Sequence, residues 1–200
     1  MKKLTLLLLT VFLFLTACAT TTVKRIDPNT QTDLSGYWND TDVRIVCESL
    51  IKDCLSSPRV SQALKAMGKK TPTVIVGNFR NESSEHIDTS IITSIMETTI
   101  FNSGRMDFVA GGALRDALRT ERQDQQGNAR EDTAASLAKE TGADFMLLGT
   151  VRTIIDKVDN KSVRTYFVNA ELTSIETNQR MWMGQNSEIK KMVTRPKNKL

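Results

Sequence analysis

Between Val43 and Cys54 the apolar residues Val43, Val46, Cys47, Leu50, Ile51 and Cys54 return every three or four positions, the spacing that gathers side chains on one helical face. Asn39 or Asp40 ahead of them supplies an N-cap, so the pattern predicts a helix running to about Leu55 and ended in the Pro58 region. After a basic patch, Lys65 to Lys70, the period changes. TVIVGNF, Thr73 to Phe79, is β-branched and apolar on both faces, as expected of a strand covered on both sides. A polar loop, Arg80 to His86, leads to a helix from about Asp88 to Asn102 with Ile91, Ile92, Ile95, Met96 and Ile100 on its apolar face and Gly104 as the C′ residue. Met106 to Gly111 reads as a second short strand, parallel to the first because a helical crossover separates them.

Ala113 to about Thr120 has a helical pattern, and the polar Glu121 to Asp132 reads as exposed loop or frayed helix. Thr133 to Thr141 reads as a helix closed by Gly142. Ala143 to Val151 is the most apolar strand and should be central. Ser162 to Glu176 alternates, with Tyr166, Val168, Ala170 and Leu172 facing one way. Arg164, Asn169, Glu171 and Thr173 are expected on the other side, Phe167 being the exception. A turn at Glu176 to Gln179 brings Arg180 to Lys191 back as a hairpin partner. The predicted fold class is α/β (α+β): a mixed sheet of about five strands with helices packed on it, a strand-helix-strand crossover followed by a C-terminal antiparallel meander.

The N-terminus adds a segment outside that fold. Lys2 and Lys3 precede the twelve apolar-patterned residues Leu4 to Leu15, too few for a spanning helix, which needs about 20. They suit a secretory signal over residues 1–17. LTAC, Leu15 to Cys18, resembles the lipobox of bacterial lipoproteins, in which the signal is cut before the cysteine and the thiol is lipidated. An ordinary signal cut near Ala17 or Ala19 is the alternative. Several acyl chains at about 0.8 kcal/mol per buried CH₂ would hold Cys18 stably at a membrane. Ala19 stands where the usual inner-membrane retention signal resembles an Asp, which favours the outer membrane. Residues 18–36, rich in Thr, Asp and Asn, read as a lipidated N-terminus and tether, 37–191 as one globular domain, and 192–200 as a disordered basic tail.

Composition narrows the function more by exclusion than by assertion. The formal charge of +4 includes the two lysines of the signal, and much of the rest sits in the C-terminal tail, so a nucleic-acid footprint is not expected. Cys47 and Cys54 would lie about 10.5 Å apart along a helix, beyond the reach of a disulfide, and read as buried thiols. His86 is the only histidine, so no metal site is expected. Ser49 and Ser136 each precede a lysine by three residues, but the accompanying Ser-Asp-Asn and Lys-Thr-Gly elements of penicillin-recognising enzymes are missing. No phosphate-binding glycine loop occurs. Trp38 and Trp182 read as packing residues. Neither a catalytic constellation nor a cofactor is expected.

The ordered set TDLSGYWNDTD (Thr32 to Asp42), TPTVIVGNFRNESSEHI (Thr71 to Ile87), TGADFMLLGTV (Thr141 to Val151) and ELTSIETNQRMWMGQ (Glu171 to Gln185), behind a lipobox, resembles the LpoB family of outer-membrane lipoprotein activators of penicillin-binding proteins. The resemblance implies a fold similar to the N-terminal domain of TolB and to CsgG. It also implies a non-catalytic role, binding and activating a bifunctional peptidoglycan synthase from the periplasmic side of the outer membrane. Cys18 would carry the lipid. The loop after the first strand matches the family's polar loop, and Arg80, Asn81, Glu85 and His86 are its candidate partner-binding residues. Family members that cross the periplasm carry a long Pro-rich tether, whereas about 20 residues separate Cys18 from Asn39 here. The alternative is a periplasmic adaptor of an envelope secretion or assembly complex. Oligomeric state is left open by the sequence.

Overall fold

The computed structural model describes residues 21–68, 71–128 and 142–196. The chain divides into two units, Met1–Gln31 and Thr32–Leu200. In the first, Asp27 and Pro28 open a turn in which the Thr30 N–H donates to the Asp27 carbonyl at 2.9 Å and the Asn29 N–H to the Asp27 carboxylate at 2.7 Å. The predicted helix at 133–141 lies outside the described residues, as does the lipobox.

In the second unit, helix α1 (Asp40–Ser56) begins with a capping box: Asn39 Oδ1 accepts from the Asp42 N–H, and Asp42 Oδ2 accepts from the Asn39 N–H. Its predicted apolar face is its buried face. Pro58 ends nothing by itself. It stands in the first turn of a second helix, α2 (Pro58–Ala66), where its missing N–H costs no hydrogen bond, and Val60 anchors that helix in the core. Strand β1 (Thr73–Asn81) follows, then α3 (Thr89–Asn102), capped by Asp88 and closed by Gly104 at φ 64°. β2 is only Asp107–Phe108, much shorter than predicted, and pairs parallel with β1.

Helix α4 (Gly112–Asn128) takes in much of the polar stretch read as exposed loop or frayed helix. Side-chain pairs one turn apart, Gln125 to Glu121 and Asn128 to Asp124, support it, and it buries no residue. β3 (Phe145–Val158) is parallel to β1, and β4 (Lys161–Ser174) returns antiparallel along the whole of β3. The segment predicted as one hairpin partner is two strands, β5 (Arg180–Asn186) and β6 (Lys190–Thr194). β5 pairs with Val168–Thr173 and β6 with Lys161–Thr165 of β4, so β6 extends ordered structure three residues into the predicted tail. The sheet order is β2-β1-β3-β4-β5 with β6 also on β4, six strands where five were expected. β3 holds the predicted central place, and α1 and α3 pack together over one face of the sheet.

Two local features decide which side chains reach which face. Between Val76 and Phe79, β1 fits the two residues Gly77 and Asn78 against the single Leu148, a β-bulge. The pleat parity therefore switches, sending Phe79 into the core and Arg80 to the opposite face. A Cβ on Gly149 would collide with the Phe79 ring, so this glycine is what lets the ring lie over the sheet. In β4, parity overrides charge: Arg164 lies on the same buried face as Tyr166, Val168, Ala170 and Leu172, not outward as predicted.

Candidate functional site: the loop after β1 and the groove beside it

The loop following β1 is wired to itself. Asn81 Oδ1 accepts from both the N–H and the hydroxyl of Ser83, while Asn81 Nδ2 donates to the Glu85 carbonyl at 2.7 Å. The Glu82 N–H donates to the Val151 carbonyl at 2.8 Å, fastening the loop to β3. On the surface the Glu82 carboxylate takes Arg152 at 2.7 Å and Arg80 at 3.2 Å; the hydrogen bond from Arg152 holds its pKa below the ordinary value. Each bond is weak in water, but together they give the loop one shape.

Glu85 turns inward, with its side chain only 6% exposed. Its carboxylate accepts from the Tyr166 hydroxyl at 2.8 Å and the Trp38 backbone N–H at 3.5 Å. Arg164 Nε lies 3.4 Å from Glu85 Oε1, a charge contact at an angle that makes no hydrogen bond. The Arg164 guanidinium also stacks 4.0 Å over the Tyr37 ring and donates to the Gly36 carbonyl. Burial and the neighbouring Glu85 raise the Tyr166 pKa, so this hydroxyl stays a donor. Beside it, Lys191 Nζ reaches Asp42 at 2.6 Å, Asp33 at 2.7 Å and the Tyr37 carbonyl at 3.0 Å. Burial raises the Asp42 pKa against the opposing hydrogen bond from Lys191. Loop, N-terminal segment and β6 are thus pinned to one buried polar network.

Of the four residues nominated from sequence, Arg80, Asn81 and His86 are exposed and Glu85 is enclosed. Arg80 belongs to a second feature that pattern reading did not reveal, a groove of about 730 Å³ lined by the side chains of Leu148, Asn169, Glu171, Arg180 and Met183 among others. Its rim carries Arg80, 73% exposed, and Arg180, paired to Glu171 at 3.1 Å. Gly77 was the readable signal, since a glycine inside a strand marks a bulge, and this bulge aims Arg80 at the groove. Trp182 is buried with Nε1 donating to Asp53 at 2.9 Å, and Trp38 packs 5.2 Å from Tyr166; both are packing residues. Cys47 and Cys54 are free, buried thiols, with burial pushing each pKa up to about 12. Among the described residues no three His, Cys, Asp or Glu side chains converge as a metal site.

Arg80 thus joins the braced loop to the amphipathic groove, sharing the Glu82 carboxylate with Arg152. The chain belongs to the family of the peptidoglycan-synthase activator LpoB, whose model matches residues 42–187. Members of that family are regulators of a synthase. Among solved structures, the chain is similar to the LpoB C-terminal domain from Escherichia coli, with 14% identity, a TM-score of 0.44, and 72% of this chain and 96% of that one covered. It is also similar to the LpoB C-terminal domain from Salmonella enterica, with 15% identity, a TM-score of 0.41 and coverage of 77% and 99%. Lipoprotein GNA1162 from Neisseria meningitidis is a further neighbour at 16% identity, TM-score 0.38, with 62% and 83% covered. A search of curated sequences returns no match.

Proposed function

We propose that this protein is a non-catalytic outer-membrane lipoprotein, held by lipid on Cys18, whose periplasmic domain binds a bifunctional peptidoglycan synthase and stimulates it through the loop and groove around Arg80. The match of residues 42–187 to the synthase-activator family carries this reading. The braced loop supports the choice of surface, because a recognition element held in one shape loses little conformational entropy on binding. Activation follows if the domain binds the active state of the synthase more tightly than the inactive one, and only by that difference. The stretch from Cys18 to Gln31 spans at most about 50 Å extended. The synthase domain it meets therefore stands near the outer membrane.

The decisive assay is reconstituted glycan polymerisation by the bifunctional synthases of the source cell, with and without the chain. A rate unchanged for all of them defeats the proposal. Arg80→Glu should cut the stimulation at least tenfold with the unfolding midpoint unmoved; full stimulation by that variant rules out this surface. Cys18→Ala should move the protein from the membrane to the soluble fraction, still folded.

A further inference from the structure

β3 outruns its neighbour. β1 pairs with it only as far as Val151, while β4 accompanies it to Val158 with no break in register. Along Arg152–Val158 one edge is therefore bonded to β4, and the other has no strand beside it among the described residues. The Val151 carbonyl accepts from Glu82 across that edge, so the backbone groups of Thr153, Ile155 and Lys157, in the same phase, aim outward from it. No proline or bulge interrupts the segment, and its apolar side chains are solvated: Ile154 is 61% exposed and Val158 68%. An unpaired edge with no bulge and solvated apolar side chains is a template for another strand.

We propose that this edge pairs with the same edge of a second copy, antiparallel about a two-fold axis through Ile154, joining two sheets into one. A two-fold axis normal to the sheet keeps the faces matched, which leaves few registers. Centring on Thr153 drives Ile155 against the partner's Val151, where β1 already sits. Centring on Ile155 sets Ile154 against Asp156; centring on Asp156 or Lys157 sets like charges face to face. Centring on Ile154 puts Ile154 on Ile154, Arg152 opposite Asp156 twice, and lets Thr153 and Ile155 exchange backbone hydrogen bonds at both ends. Arg152 spends Nε on Glu82 and has further donors for a second carboxylate.

A ladder of five residues buries far less than the roughly 1,200–2,000 Å² of a stable interface. Pairing is therefore weak between freely diffusing copies and favoured where copies share a membrane surface, a setting that rests on the Cys18 anchor.

Disulfide capture of the full chain in its own envelope tests this. Ile154 would form a non-hydrogen-bonded pair with itself, the closer of the two antiparallel spacings and one that a disulfide can bridge. The variant tolerates the change because the side chain is mostly solvated, and Cys47 and Cys54 are too buried to compete. Ile154→Cys should give a disulfide-linked homodimer, whereas Val158→Cys, beyond the ladder, should not. Adding Asp156→Arg to Ile154→Cys sets Arg against Arg and should lower the dimer at least tenfold. Absence of the Ile154→Cys dimer, equal capture at 154 and 158, or capture of a different protein by Cys at 154 would each overturn the proposal.

Discussion

Replacing Glu85 by Ala removes the acceptor of the Tyr166 hydroxyl and leaves Arg164, whose side chain is 11% exposed, without its carboxylate. Orphaning one member of a buried ion pair costs about 3–5 kcal/mol. The lower end applies, because the contact is not hydrogen-bonded and Arg164 retains the Gly36 carbonyl and the Tyr37 ring. A loss of about 3 kcal/mol is a large share of the roughly 5–15 kcal/mol that holds a domain together. With a urea slope of about 2 kcal/mol per M, the midpoint should fall by about 1.5 M. Arg164→Met, placed in the same chain, removes the stranded charge and should restore about 1–2 kcal/mol of the loss. Equilibrium urea unfolding of the two single variants and the double gives the cycle. A Glu85→Ala cost below about 1 kcal/mol, or strictly additive variants, would refute the claim that an unpaired buried guanidinium carries the penalty.

The remaining predictions concern Asp42 and Gly149. Because burial raises the Asp42 carboxyl, its contribution is fully present below the unfolded value of 3.8 and is lost as pH rises through the folded one. Asp42→Asn, which cannot titrate, should therefore destabilise more near pH 3 than at pH 7. Urea midpoints at both pH values decide it, and a penalty that shrinks on acidification means the Lys191 bond outweighs burial. Gly149→Ala forces a methyl against the Phe79 ring and to 2.6 Å from the Asn169 carbonyl, and should cost about 2 kcal/mol. Phe79→Leu in the same chain should return part of that, and thermal unfolding that shows no return places the strain at the carbonyl instead.

Much of this fold can be read from period and punctuation. The one-faced recurrence from Val43 to Cys54, the cap at Asn39 or Asp40, and Gly104 belong to single elements and depend on neighbours one or two turns away. What escaped depends on distant partners or on parity. Arg164 looked like a surface residue because it is charged, yet the pleat fixes its direction, and Glu85, far away in sequence, makes that direction tolerable. The bulge that turns Arg80 outward leaves only a glycine as its trace. The polar length of α4 leaves loop and frayed helix both open, since only its own side-chain pairs hold it, and the division of the last strand into β5 and β6 becomes visible only once β4 proves long enough to pair with both. Among the nominated loop residues, sequence could not tell that the Glu85 carboxylate turns inward while Arg80, Asn81 and His86 face water.

The Lys191 clasp also sets how this domain would bear load. A pull entering at Thr32 runs first through the Asn39 amide, which donates to the Thr32 carbonyl and the Asp33 carboxylate, and through Lys191 of β6, which holds Asp33 and Asp42. Lys191 sits on β6, which is short and, among the described residues, pairs only with the far half of β4. Tension therefore tends to peel β6 from β4 before it reaches the β1-β3-β4 core, making this strand a mechanical fuse. The Arg80 groove, built on β1, β3, β4 and β5, would stay intact under the same pull.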